Sequence, residues 1–220
     1  MLRHPVWIDR LKRQRAIAVV CPPTFALGYG MAMAVVEAGM EFVEIAWNGD
    51  RSAELVEKLR NELPHCQIGA GTLTDEGQVR EAIEAGAQFL FSPYTDLDMV
   101  RSSVDAGVPI VPGALSPTEI LTAWKAGATA VKVFPVQAVG GVNYIRSLKR
   151  PLDFVPLVPT GGVTVEQLDG FIDAGAIAVG ISSALFPRSL VEAEDWLGIT
   201  ALAARLSTRS KSEHLSERVP

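Results

Sequence analysis

Five times in this chain a charged residue, an alanine and a glycine close an amphipathic stretch and hand over directly to an apolar run. The triplets are Glu37-Ala38-Gly39, Glu84-Ala85-Gly86, Asp105-Ala106-Gly107, Lys125-Ala126-Gly127 and Asp173-Ala174-Gly175. A glycine just past a helix end takes up the left-handed cap, so a strand can begin at once. The β-branched, apolar runs predict strands at Ala16 to Cys21, Glu41 to Ala46, Gln67 to Ala70, Gln88 to Phe91 and Pro109 to Val111. Three more are predicted at Thr129 to Phe134, Phe154 to Pro159 and Ala176 to Ile181. Helices are predicted between them, over Ala26 to Ala38, Ser52 to Asn61, Asp75 to Ala85, Asp96 to Ala106 and Ser116 to Ala126. The series ends with Val142 to Leu148, Thr164 to Ala174 and Leu190 to Leu206. Eight strands alternating with helices predict an α/β fold, a single (β/α)8 TIM barrel. An open doubly wound sheet is the other reading, but no Gly-x-Gly-x-x-Gly follows the first strand.

The length of 220 residues suits one such domain, expected over residues 1–206, with a polar, disordered tail over 207–220. Trp7, Ile8 and Leu11, at helical spacing, predict a short N-terminal helix ahead of the barrel. The net charge of −5, with no basic block in the body of the chain, argues against nucleic acid or an anionic membrane as partner. No apolar run is long enough to cross a bilayer, and residues 1–15 lack the features of a secretory signal. Two cysteines, Cys21 and Cys66, form no motif, so a reduced, intracellular protein is expected. The three histidines are scattered, and no metal is expected.

Two charged residues break otherwise apolar strands. Lys132 lies inside Ala130-Val131-Lys132-Val133-Phe134-Pro135, and alternation puts Ala130, Lys132 and Phe134 on one face. Burying an ammonium disfavours its charged form and frees the amine as a nucleophile, suited to a Schiff base with a carbonyl substrate. The other reading is a lysine that snorkels out or pairs with a buried carboxylate. Glu44, in Phe42-Val43-Glu44-Ile45-Ala46-Trp47, shares its face with Phe42 and Ala46. A carboxylate there is costly unless paired. It is either an ion-pair partner for Lys132 or a group that moves protons for it.

Barrel enzymes build their sites at the C-terminal ends of the strands. The third strand ends in Gly69-Ala70-Gly71-Thr72, where glycines allow a ligand near the backbone and Thr72 can donate a hydrogen bond. Ser92-Pro93, Pro112-Gly113 and Phe134-Pro135 stiffen other strand ends. Pro159-Thr160-Gly161-Gly162 and Gly180-Ile181-Ser182 follow the last two strands, the usual place of a phosphate cradle in barrels. The Gly-Gly pair can also be read as a tight turn alone.

Taken in order, Val43-Glu44-Ile45, Gly69-Ala70-Gly71-Thr72, Phe91-Ser92-Pro93, Pro112-Gly113, Val131-Lys132-Val133-Phe134-Pro135 and Pro159-Thr160-Gly161-Gly162 resemble one family. It is the class I aldolases acting on 2-keto-3-deoxy-6-phosphogluconate (KDPG) and 4-hydroxy-2-oxoglutarate (KHG). The resemblance implies catalysis by Lys132, as the Schiff-base lysine, and by Glu44, as the proton shuttle. It implies a pyruvyl pocket lined by Thr72, Pro93, Phe134 and Thr160, and a phosphate held by Gly161, Gly162 and Ser182. It also implies a homotrimer, a cytoplasmic location and no cofactor beyond the lysine itself.

Two positions depart from the family's pattern. Many members carry a carboxylate-gripping arginine four residues after the glutamate, and others carry one at the end of the first strand. Here those positions are Asn48 and Cys21. Arg51 either reaches the site or caps the next helix. Glu44-x-x-x-Asn48 is similar to the phosphogalactonate branch of these aldolases, and the same lysine chemistry would decarboxylate oxaloacetate. A phosphosugar isomerase or epimerase using Glu44 as base, and a non-catalytic binding barrel, are the readings from other classes.

Overall fold

The computed structural model describes residues 4–212. Its strands are β1 (Ala16–Val20), β2 (Phe42–Ala46), β3 (Gln67–Gly71), β4 (Leu90–Phe91), β5 (Ile110–Val111), β6 (Gly113–Ala114), β7 (Val131–Val133), β8 (Leu157–Pro159) and β9 (Val179–Ile181). All ladders are parallel, in the orders β5-β4-β3-β2-β1-β9 and β6-β7-β8. β5 and β6 are one barrel strand interrupted at Pro112, which has no N–H to give the ladder. Its carbonyl still accepts from Lys132 N at 2.9 Å. A single bridge between Thr160 and Gly180 joins β8 to β9, so the eight expected strands close into a barrel.

The helices are α1 (Pro5–Gln14), α2 (Phe25–Glu37), α3 (Ser52–Glu62), α4 (Glu76–Glu84), α5 (Leu97–Asp105), α6 (Pro117–Ala126), α7 (Gly141–Lys149), α8 (Leu168–Asp173), α9 (Arg188–Glu192) and α10 (Trp196–Ser212). Thr24, Asp75, Asp96 and Ser116 cap α2, α4, α5 and α6 with their side-chain oxygens. The five triplet glycines all have positive φ, from 72° at Gly107 to 121° at Gly127, as the repeat demands.

Some boundaries differ from expectation. The helix expected over Leu190 to Leu206 is two helices, because the Asp195 side chain accepts from Gly198 N at 2.9 Å and starts α10 afresh. That helix runs to Ser212, six residues past the domain limit expected at 206, and the remainder of the expected tail, 213–220, lies outside the described residues. The helix expected from Thr164 opens as a 3-10 turn at Val165–Gln167 before α8. The strand expected from Phe154 begins only at Leu157, with Phe154 itself 54% exposed.

Alternation sorts the strand residues between an outer core beneath the helices and the barrel lumen. At the N-terminal end of the lumen, Ile17, Phe42, Phe89, Ala130, Val158 and Ala178 pack with Trp7, Ile8 and Leu11 of α1. The Trp7 ring meets Phe42 edge-on at 5.7 Å and Phe89 at 5.7 Å. Arg10 ties α1 in place, donating to Glu41 Oε2 and to the His65 carbonyl, each at 2.9 Å. The α1 plug leaves the C-terminal mouth as the open end, with Glu44 and Lys132 one layer above the floor of Phe42 and Ala130.

Candidate active site

Lys132 is 5% exposed, and its Nζ lies over two rings, 4.9 Å from the centroid of Phe134 and 5.7 Å from that of Phe91. These faces attract the ammonium electrostatically while excluding water. The lysine is pinned at mid-strand, paired with Gly113 on one side and Val158 on the other.

Glu44 is 1% exposed and lies between Val19 and Gly69 in register. Both of its carboxylate oxygens are buried without a hydrogen-bond partner. Burial pushes this carboxyl above the ordinary carboxylate range, and the Lys132 charge pulls it only partly back. Glu44 and Lys132 therefore share one lumen and feel each other's charge, but they do not form a hydrogen-bonded ion pair. A carboxyl whose proton is held more tightly than usual, beside an amine, is suited to proton transfer.

The glycines of β3 serve a purpose the sequence did not reveal. A β-carbon at Gly69 would fall 2.4 Å from the Phe89 ring, and one at Gly71 would fall 1.7 Å from Glu44 Oε1. They make room for side chains rather than for a ligand.

Around the mouth, Thr72 follows β3 in a left-handed conformation, φ 60°, and is half-buried. Pro93 and Phe134 line a cavity of about 260 Å³ with Gly113, Tyr94 and Leu115. Thr160 is 6% exposed, at the bridge that closes the barrel. Gly161 and Gly162, with φ of 93° and 77°, turn the chain directly above Phe134 and Gln137. Among the described residues neither glycine gives its N–H to a protein acceptor.

Ser182 stands 3.7 Å from Cys21 Sγ, and both line a second cavity of about 470 Å³ that extends between α2 and α9. Cys21 continues the lumen face of Ile17 and Val19 to the rim. Its thiol is pushed up by loss of solvent, an effect that Glu44 adds to and that Ser182 and Lys132 oppose. Asn48 is exposed. Arg51 stands at the N-cap position of α3 without a side-chain cap hydrogen bond; its guanidinium pairs with Glu54 and stacks on Phe25 at 4.6 Å. Among the described residues no cluster of His, Cys, Asp and Glu could hold a metal ion, and no helix is long and apolar enough to cross a membrane.

Residues 8–202 match the model of the KDPG and KHG aldolase family. The 2-dehydro-3-deoxy-phosphogluconate aldolase of Treponema pallidum is 32% identical over 195 residues, covering 89% of this chain and 93% of its own. A solved structure described as native KDPGal superposes with a TM-score of 0.81 at 30% identity, over 91% of this chain and 96% of its own. The KDPG aldolase of Zymomonas mobilis, solved with 3-phosphoglycerate, gives 0.82 at 26% identity, over 91% of this chain and 94% of its own. The layout of the mouth and these matches across nearly the whole barrel agree: the chain is an aldolase, a lyase belonging to the KDPG and KHG aldolase family.

Proposed function

We propose that this barrel is a Schiff-base aldolase that reversibly cleaves a 2-keto-3-deoxy-6-phospho-sugar acid, KHG, or both, to pyruvate plus glyceraldehyde 3-phosphate or glyoxylate. The observation that carries this reading is a buried lysine under two aromatic faces, with an unpartnered carboxyl beside it in the same lumen. In the cleavage direction Lys132 attacks the C2 ketone. The carbinolamine formed loses water, with Glu44 supplying the proton to the departing hydroxyl. The resulting iminium draws the electrons of the C3–C4 bond as Glu44 takes the C4 hydroxyl proton, releasing the aldehyde. The enamine left behind takes a proton at C3, and water then frees pyruvate and the lysine.

Thr72, Pro93, Phe134 and Thr160 form the pyruvyl pocket in this reading. The undonated N–H groups of Gly161 and Gly162, with Ser182, suit a distal phosphate. Support for the phosphate comes from the Zymomonas mobilis relative, solved with a phosphorylated three-carbon acid. The Glu44-x-x-x-Asn48 spacing and the 30% identity to native KDPGal support a second reading of the substrate, 2-keto-3-deoxy-6-phosphogalactonate. We also assign the chain to the cytoplasm as a homotrimer of single barrel domains, on the family resemblance; sedimentation velocity tests the trimer.

The deciding experiment adds pyruvate and borohydride, then reads the intact mass and maps the modified peptide. One reduced pyruvyl adduct on Lys132, absent from Lys132→Ala, is expected. No adduct at saturating pyruvate overturns the aldolase reading and returns the barrel to an isomerase or a binding module.

A further inference from the structure

The three atoms nearest to a β-carbon at position 71 all belong to one side chain. A β-carbon there would sit 1.7 Å from Glu44 Oε1, 2.4 Å from Cδ and 2.6 Å from Cγ. Gly71 lies at the end of β3 in register with Ala46, two residues beyond Glu44 on the adjacent strand. Unlike Gly161 and Gly162, it does not have positive φ, so its backbone has no need of glycine. What the position requires is empty space. The space below it is filled, because a β-carbon at Gly69 would meet the Phe89 ring. No hydrogen bond holds the Glu44 carboxylate, so packing and the pull of the Lys132 charge fix where it stands.

We propose that Gly71 is a positioning residue for Glu44, whose missing side chain sets the carboxylate within reach of the carbon that reacts on Lys132. The proposal rests on the reading that Glu44 moves protons for a Schiff base at Lys132. A side chain at 71 pushes the carboxylate off this station, and the steps that need it slow while the lysine remains. The step most exposed is the reversible one at C3. The carboxyl gives its proton to the enamine carbon, forming the iminium and a carboxylate, and the carboxylate takes a C3 proton back in reverse.

Exchange of the pyruvate methyl protons in D2O, followed by NMR, reads that step through the Schiff base and needs no aldehyde. Gly71→Ala is expected to slow it by about 100-fold or more, the range for losing a positioned general acid–base. Glu44→Ala is expected to slow it comparably, and the double variant to be no slower than Glu44→Ala alone. Borohydride with pyruvate still labels Lys132 in Gly71→Ala to full stoichiometry, which a collapsed barrel would not allow. Wild-type exchange in Gly71→Ala, or a further drop when it is added to Glu44→Ala, overturns the proposal.

Melting midpoints give a separate reading. Gly71→Ala is expected to cost stability in the parent and markedly less in the Glu44→Ala background, because the clash is gone. Equal costs in the two backgrounds overturn the placement of Glu44 over residue 71. If the parent chain itself forms no adduct, the aldolase reading has failed and the proton-transfer role falls with it, whereas the melting comparison still judges the steric one.

Discussion

Thr160 and Gly180 form the single bridge that closes β8 onto β9, and a β-carbon at residue 180 would fall 2.5 Å from Thr160 Oγ1 and 3.0 Å from its Cγ2. The side chain of Thr160 thus occupies the room that Gly180 leaves free. Gly180→Ala is expected to destabilise by about 1–3 kcal/mol, the cost of overpacking a filled interior. It should also raise KM for the keto acid, since the displaced hydroxyl belongs to the proposed pyruvyl pocket. Urea denaturation and steady-state kinetics check both effects. Thr160→Ala on top of Gly180→Ala should recover stability but not KM.

Glu44 gives a pH dependence with a definite sign. Its carboxyl is held above the ordinary range by burial, so the folded chain binds this proton more tightly than the unfolded chain does. Stability from this group is fully present below the ordinary carboxylate pKa and is lost as pH rises through the elevated folded value. Glu44→Gln cannot ionise and escapes the loss. It should melt above the parent at pH 7 by about 2–4 °C for each kcal/mol released, with the difference vanishing near pH 4. Its turnover should fall by about 10²–10⁴, the usual contribution of a positioned acid–base group. A parent that melts higher than Glu44→Gln at pH 7 contradicts this account.

The repeat of charged residue, alanine and glycine made the barrel legible, because helix termination is local chemistry. Lys132 and Glu44 were legible as charges breaking apolar strands, and alternation gave each its face, but only the closed barrel makes both faces the lumen. What stayed hidden depends on neighbours distant in the chain. Gly71 reads as room for a ligand beside the backbone until Glu44, 27 residues earlier, is seen filling its side-chain space. Arg51 could be assigned only once Phe25 and Glu54 were seen to hold it. The break of the last helix at Asp195 did carry a local signal, an aspartate three residues before Gly198, which the apolar pattern on either side obscured.

The two cysteines should report on the fold without ambiguity. Cys66 is fully buried, and its thiol is pushed up to about 11, mainly by burial and secondarily by Glu41, with Arg10 opposing. Cys21 is exposed at the rim. One thiol per chain should therefore react with a disulfide reagent in the native state, and two after unfolding. Reaction at Cys21 should be slower than that of a free thiol and should quicken with rising pH, since its own thiol is also held up. Labelling should weaken a phosphorylated substrate more than pyruvate, because Cys21 adjoins Ser182 rather than Lys132. Titration by absorbance, followed by kinetics on the labelled chain, reads all three.

Trp7 separates stability from chemistry along the barrel axis. Its ring is 6% exposed and closes the end opposite the mouth, packed against Phe42 and Phe89. Trp7→Ala should cost about 3–5 kcal/mol, the range for emptying a large aromatic site. Trp7→Phe should cost much less than its lost volume suggests. The indole Nε1 is buried with no hydrogen-bond partner, and removing it relieves a desolvation penalty of about 1–3 kcal/mol. Ala130 and Phe42 form the floor between this plug and the layer that holds Lys132 and Glu44. Both variants, assayed at a temperature where circular dichroism shows them folded, should therefore keep the parent's KM and its borohydride adduct at Lys132. A change in KM at full folding would mean that the plug also sets the position of the lysine. The floor of Phe42 and Ala130 would then transmit strain from one layer of the lumen to the next.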